Sequence, residues 1–149
     1  IYVKSPTNPD FTYHKDDAKR TSIEVRGLIT NGDRGHLTKD GYLYLADRKA
    51  NMVISGGVNI YPAEIESVLI SMPGVRDCAI FGIPDSEFGE KLVAAVELEM
   101  DTQIEESDVK TFISDRLARF KTPRLVRFYE KLPREDSGKL FKRILRDNF

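Results

Sequence analysis

The chain has 149 residues, of which 40% are hydrophobic and 32% charged, so it can build the core of one domain, or of one domain plus a flank. No apolar run reaches the length that crosses a bilayer, so we expect no transmembrane segment. The single cysteine, Cys78, excludes an internal disulfide and indicates a reducing compartment such as the cytoplasm.

The net charge of −1 conceals an uneven distribution. The segment from Arg116 to Arg146 contains eleven Lys and Arg residues and three acids, a net charge of +8, so the rest of the chain must contribute −9. A basic segment in a nearly neutral protein indicates an anionic partner. The charge alone leaves two candidates open, nucleic acid and a small molecule that bears phosphates.

The first half of the chain alternates turn signals with short apolar runs. It begins without a Met or a signal-peptide pattern, which suggests a piece of a longer protein. Residues 1–30, with two prolines in "SPTNP" and the charged run "HKDDAKR", predict loop and a short helix. "DGYLYLADRKANMVISGG" predicts a β-hairpin whose strands "YLYLA" and "NMVIS" follow the Asp40-Gly41 turn and join near Arg48–Ala50. Pro62 then begins a helix that ends at Pro73-Gly74.

The second half predicts a small sheet flanked by helices. "VRDCAIFGI" is an apolar strand stopped by Pro84, and "KLVAAVELEM" and "RLVRFY" are two further strands. A helix is expected from Glu105 to Leu117, and a short one closes the chain around Leu140, Ile144 and Leu145. The whole is an α+β fold with a small mixed sheet and a short β-hairpin. Cys78 is expected in the core, as are four phenylalanines: Phe81, Phe112, Phe120 and Phe128.

Three short motifs are candidates for chemistry, each with a structural alternative. "DSGKL" is not a Walker loop, because residue 133 is proline where that loop requires glycine. Its Lys139 could reach a phosphate or carboxylate, or could be an ordinary solvated lysine. The glycines of "SGGVNIYP" could admit a ligand to the backbone or only form a turn. Asp33 in "NGDRG" could bind a ribose diol or belong to a turn. His14 and His36 have no partners at metal-ligand spacing, so no metal site is expected.

Four ordered blocks together carry a more specific signal. They are "NGDRGHLTKDGYLYLADRKANMVISGGVNIYPAEIE", "FGIPDSEFGEKLVAAV", "LARFKTPR" and "LPREDSGKLFKR". Across residues 27–147 the chain resembles the carboxy-terminal part of the acyl-adenylate-forming enzymes, and most of all the acyl-CoA and aryl-CoA ligases. The resemblance implies that a carboxylate attacks ATP to form an acyl-adenylate, and that coenzyme A then displaces AMP.

The resemblance also implies a domain organisation. Residues 1–47 correspond to the tail of a large amino-terminal adenylation domain and its linker, residues 48–51 to the hinge, and residues 52–149 to a small mobile domain. That domain adopts one orientation for each half-reaction. The amino-terminal domain is then the main partner, and it holds most of the ATP site, Mg²⁺ and the carboxylic acid. The fragment is expected to be inactive alone.

For the nucleotide, the resemblance assigns three residues. Lys139 matches the adenylation lysine, Asp33 the acid that binds the ribose hydroxyls of ATP or AMP, and Arg48 an arginine near that ribose. Asn31 stands where the family usually has threonine, which affects at most a minor contact.

For coenzyme A, the resemblance places Gly57, in the Gly56-Gly57 turn, beside the tunnel of the pantetheine arm. Composition alone suggests that Lys121 or Arg124 meets the coenzyme A phosphates. Ala50 occupies the hinge position, where the family usually has Asp or Lys, so a polar anchor of one orientation is missing there.

Two other functions remain open from the sequence. The chain could belong to an adenylation domain that loads the thiol of a carrier protein, or it could be a non-catalytic basic module that docks on nucleic acid. The four blocks favour the acyl-CoA ligase and no nucleic-acid partner. The acid that is activated is selected outside this chain.

Overall fold

The computed structural model describes residues 1–4, 7 and 10–149, which form two compact units, 1–50 and 51–149. The loop predicted for "SPTNP" lies, apart from Thr7, outside the described residues. In the described part of the chain, no helix is long and apolar enough to cross a membrane.

The first unit consists of one short helix and two hairpins. Helix α1 (Asp17–Ser22) lies in the charged run as predicted, and the Asp16 side chain caps it by accepting a hydrogen bond from the Lys19 N–H. Strands β1 (Glu24–Val25) and β2 (Leu28–Ile29) form the first hairpin, and β3 (Asp33–Leu37) and β4 (Leu43–Arg48) form the second.

The predicted hairpin has the right turn but the wrong pairing. Asp40-Gly41 is a turn, with Gly41 at φ +86°, but the strands that it joins are β3 and β4. Strand β5 (Val53–Ser55) pairs instead with β6 (Val58–Ile60) and β8 (Gly89–Leu98). The sequence "DRGHL" of β3 has no apolar alternation, so its strand character depends on backbone hydrogen bonds to β4 that the side-chain pattern does not reveal.

The second unit is built on a five-stranded sheet in the order β6-β5-β8-β7, with β9 also paired to β8. Strand β7 (Val75–Asp85) is antiparallel to β8 (Gly89–Leu98), and β9 (Leu125–Tyr129) is parallel to it, so the sheet is mixed. Strand β7 continues through Pro84, which was predicted to stop it. Strand β7 lies at the edge of the sheet. Proline is tolerated on an edge strand, because the N–H that it lacks can be one that would face away from the neighbouring strand.

Helices cover both faces of this sheet, which confirms the α+β class. Helix α2 (Pro62–Leu69) begins at the predicted proline, and α3 (Glu106–Ser114) begins with a capping box between Glu105 and Asp108. Buried residues of these two helices pack on one face, and Leu145 of α4 (Lys142–Asp147) packs on the other. The two core clusters are centred on Ile65, Leu69, Ile80, Val96, Val109 and Ile113, and on Phe81, Val93, Leu132 and Leu145.

The predicted core residues divide into two groups. Phe81 is fully buried, and Cys78 packs against the core, where burial raises the pKa of its thiol to about 12. Phe112 is half-buried. The prediction was wrong for Phe120 and Phe128, which are 53% and 40% exposed. Phe120 lies in a 3-10 turn beyond α3, and Phe128 lies two residues past the buried part of β9, so no layer covers either ring.

Candidate functional site

Lys139 lies on a tight turn between β9 and α4. The Glu135 N–H donates to the Lys139 carbonyl at 2.8 Å, and the Gly138 N–H donates to the Glu135 carbonyl at 2.8 Å. Gly138 has φ +81°, a conformation that favours glycine, which explains the Gly-Lys pair. The Lys139 side chain is exposed, and its ammonium makes no hydrogen bond or ion pair within the described residues. The turn therefore presents a charged amine to the outside.

Arg134 braces this turn, and sequence reasoning missed it. Its guanidinium donates from Nη1 to the Gly138 carbonyl and from Nε and Nη2 to Asp77 Oδ2, at 3.0 and 2.5 Å. Asp77 lies on β7, 57 residues away in sequence. No local pattern links two charged residues so far apart, so the signal was absent from the sequence.

Asp33 and Arg48 are brought together in the first unit. They are directly opposite in the β3–β4 register, and Arg48 Nε donates to Asp33 Oδ1 at 3.0 Å. Both line an open cavity of about 940 Å³, together with Asn31, Lys49 and Ala50. Two of the sequence candidates thus share one cavity, which the hinge candidate Ala50 also lines.

Gly56 and Gly57 form the two-residue turn between β5 and β6, with φ of +56° and +79°. Positive φ at both central residues is the type I′ geometry that fits the twist of paired strands. A Cβ on Gly56 would lie 3.1 Å from the Phe88 ring, whereas a Cβ on Gly57 would meet nothing within 4 Å in the structure. The turn is therefore closely packed on one side and open on the other.

Gly56 also lines a cleft of about 560 Å³ in the second unit. Lys110, Arg119 and Arg124 contribute positive charge to it, and Phe120 contributes an exposed ring. The Arg124 guanidinium lies 4.1 Å from the centre of the Phe88 ring, a cation–π distance. Such a cleft offers cations for phosphates and aromatic faces for a planar base.

The remaining predicted residues are engaged elsewhere or lie apart. Lys121 forms an ion pair with Glu64 at 2.5 Å, and Lys139 is not among the residues that line the cleft. Within residues 1–4, 7 and 10–149, no group of three or more His, Cys, Asp or Glu side chains is arranged to hold a metal ion.

Comparison with known families decides the assignment. Residues 64–139, just over half of the chain, match the family described as the AMP-binding enzyme C-terminal domain. The chain belongs to this family. The resemblance to acyl-adenylate-forming enzymes is thereby confirmed.

The similar proteins extend the match along the whole chain. This AMP-binding enzyme C-terminal domain is 40% identical over 149 residues to a long-chain-fatty-acid–CoA ligase, FadD13, of Mycobacterium tuberculosis. It is 38% identical over 146 residues, 98% of the chain, to a 2-succinylbenzoate–CoA ligase of Bacillus cereus. A solved ATP-bound RpMatB–BxBclM chimera superposes with a TM-score of 0.84 at 38% identity, over 90% of this chain and 27% of that one. The chain spans 29% and 30% of the two curated relatives, so they are much longer proteins.

Proposed function

We propose that this chain is the carboxy-terminal part of an AMP-forming acid–thiol ligase of the acyl-CoA synthetase type. The enzyme joins a carboxylic acid to ATP, releasing pyrophosphate, and then transfers the acyl group from AMP to coenzyme A. Family membership and the CoA ligases that match along the chain support this. The observation that carries it is the Lys139 ammonium, which lies exposed on a braced turn and has no partner in the described part of the chain. An amine presented in this way is suited to act on a group supplied by another domain.

In this proposal Lys139 acts in the first half-reaction. Its ammonium bridges the attacking carboxylate and the α-phosphate, both anionic, and neutralises their charge as the new bond forms. In a site closed to water such a charge is worth far more than in bulk solvent. Removing one preorganised donor of this kind typically costs about 10²–10³ in rate.

We assign the Asp33–Arg48 pair to the nucleotide ribose. A carboxylate can accept hydrogen bonds from both hydroxyls of a ribose, and the 3.0 Å bond from Arg48 Nε holds the Asp33 carboxylate in one orientation. The cavity of about 940 Å³ that both residues line has room for a sugar and its phosphates. Mg²⁺ would be held mainly by the rest of the enzyme and by the phosphates of ATP, as the family resemblance implies.

We assign the cationic cleft and the glycine turn to coenzyme A. Arg119 and Arg124 can meet its phosphates, and Phe120 can stack on its adenine. Lys110 also lines the cleft, but its ammonium is paired with Glu106 at 2.6 Å. Lys121 is less suited than Arg124, because its ammonium is already paired with Glu64. The open side of Gly57 leaves space for a slender thiol arm. Gly57→Ala should then slow thioester formation more than adenylation, and an equal effect on both would contradict this assignment.

We further propose that residues 48–51 are the hinge between residues 1–47, the tail of the adenylation domain and its linker, and the mobile domain 52–149. The boundary between the compact units after Ala50 and a 3-10 turn at Lys49–Asn51 support this position. Hinges are a few residues that absorb a backbone rotation. Ala50→Pro, which fixes φ near −65°, should impair one half-reaction far more than the other. Equal effects on both half-reactions would place the hinge elsewhere.

The decisive experiment compares Lys139→Ala with Lys131→Ala in the full-length enzyme. Lys131 is also exposed and precedes the same turn, so it is a matched control. Lys139→Ala should lower pyrophosphate release from acid and ATP by about 10²–10³ and leave thioester formation from supplied acyl-adenylate within about twofold. Lys131→Ala should leave both unchanged. Equal losses in the two half-reactions with Lys139→Ala would refute the assigned role.

The same preparation distinguishes the other functions. Thioester on a carrier protein but not on free coenzyme A would identify a carrier-loading enzyme. Salt-sensitive binding of a random duplex would support a nucleic-acid module. The structure argues against the latter, because three cations of the basic segment, Lys121, Arg134 and Lys142, are already paired with Glu64, Asp77 and Glu66. We propose a cytoplasmic location, since the one cysteine of this 149-residue chain is a buried free thiol.

A further inference from the structure

The turn that presents Lys139 has few contacts of its own. Residues 134–139 are all exposed, and the backbone bridge between Arg134 and Leu140 closes the turn. Exposed turns without buried side chains open easily, because solvent can replace their backbone hydrogen bonds. An amine that must meet a reacting phosphate within a fraction of an ångström therefore needs a further constraint.

Arg134 supplies a continuous connection from the sheet to the lysine. The Cys78 N–H of β7 donates to Asp77 Oδ1 at 2.9 Å, which orients the carboxylate. The other carboxylate oxygen, Oδ2, accepts from Arg134 Nε and Nη2, and Arg134 Nη1 donates to the Gly138 carbonyl. That carbonyl belongs to the peptide group that joins Gly138 to Lys139. Its direction sets the direction in which the Lys139 side chain leaves the turn.

We propose that Arg134 is a positioning residue for adenylation, which holds the Lys139 turn against Asp77 without touching substrate. This inference rests on the proposed role of Lys139. Arg134 is suited to the task because its planar guanidinium holds its donors in fixed directions toward the carboxylate and the carbonyl, whereas the donors of a lysine rotate about a single point charge.

A role in overall stability would predict a different result. The Arg134 and Asp77 side chains are 42% and 21% exposed, and ion pairs of such exposure contribute little to stability. Loss of Arg134 should therefore loosen the turn while the unit stays folded. Losing a charge-assisted hydrogen bond that fixes a reacting group should slow adenylation about tenfold.

The test is a double-mutant cycle in the full-length enzyme with Arg134→Gln, Lys139→Ala and both changes. Arg143→Gln is the matched control, since Arg143 is exposed and its side chain makes no hydrogen bond or ion pair within the described residues. Arg134→Gln should lower kcat for pyrophosphate release about tenfold with KM for ATP unchanged, and leave thioester formation within about twofold. With Lys139→Ala already present, it should have no further effect, because the two residues act as one unit.

Each outcome decides the proposal. Three results would overturn the positioning role. Arg134→Gln could adenylate as fast as Arg143→Gln, it could cause a further tenfold loss when Lys139→Ala is already present, or it could slow both half-reactions equally. Wild-type adenylation with Lys139→Ala would overturn the proposed function itself. Asp77→Asn, checked for folding by circular dichroism, should slow adenylation as Arg134→Gln does, because it removes the other side of the contact. Arg134→Lys should adenylate faster than Arg134→Gln but more slowly than wild type.

Discussion

The ion pair between Lys142 and Glu66 should be a major link between α4 and the rest of the second unit. Lys142 Nζ donates to Glu66 Oε1 at 2.7 Å and to the Ile80 carbonyl at 3.0 Å. Glu66 Oε1 also accepts the Ile80 N–H at 2.8 Å. The cluster thus joins helix α4, helix α2 and strand β7 through residues that are 76 positions apart.

Lys142→Met keeps most of the side-chain stem but removes both hydrogen bonds. A hydrogen bond to a charged group contributes about 1.5–3 kcal/mol, and breaking a fully buried ion pair costs about 3–5 kcal/mol. Here the Lys142 and Glu66 side chains are 22% and 25% exposed, so water screens the pair in part. We expect the free energy of unfolding to fall by about 2 kcal/mol.

Urea unfolding of the 149-residue chain, followed by circular dichroism, measures this loss. With a slope of about 1–3 kcal/mol per molar urea, the midpoint should fall by roughly 1 M while the slope stays the same. The double variant Glu66→Gln with Lys142→Met should lose less than the sum of the two single changes, because it leaves no unpaired carboxylate. Lys131→Met is the exposed control. A midpoint within about 0.2 M of wild type for Lys142→Met would refute the reasoning.

Three further results are expected. Burial raises the pKa of the Cys78 thiol from 9.0 to about 12. At pH 8 the thiol should therefore react with a thiol reagent about 10³-fold more slowly in the folded chain than in urea. Comparable rates would show that the thiol is accessible. The hydrogen bond from the Phe88 N–H is the main cause that lowers the pKa of Asp85 below its ordinary value. The stability advantage of wild type over Asp85→Asn should therefore be full at neutral pH, begin to decline near pH 4 and disappear as the pH falls through the lowered pKa of the folded state. A pH-independent difference would contradict this. Gly56→Ala and Gly57→Ala should each destabilise the chain by about 1–2 kcal/mol, because both positions have positive φ. Gly56→Ala should cost more, because only the Gly56 Cβ would meet the Phe88 ring. The reverse order in urea unfolding would contradict the turn geometry.

The sequence by itself determined the elements whose signals are local. Pro62 at the start of α2 and the acids in the first turn of α3 act through their own backbone, so both helices begin where they were expected. The apolar runs of β7 and β8 indicated strands, and the structure buries them on both faces. Lys139 was a candidate from its own short motif, and Gly138 before it takes a positive φ that glycine favours.

The tertiary structure alone decided which distant residues meet. Local turns at Asp40-Gly41 and Gly56-Gly57 close the β3–β4 and β5–β6 hairpins, but no local signal specifies that β5 and β9 both pair with β8. Exposure of Phe120 likewise depends on which layers cover the sheet. The bracing of the lysine turn by Arg134 and Asp77 joins charges 57 residues apart, and only the folded sheet brings them within hydrogen-bond distance.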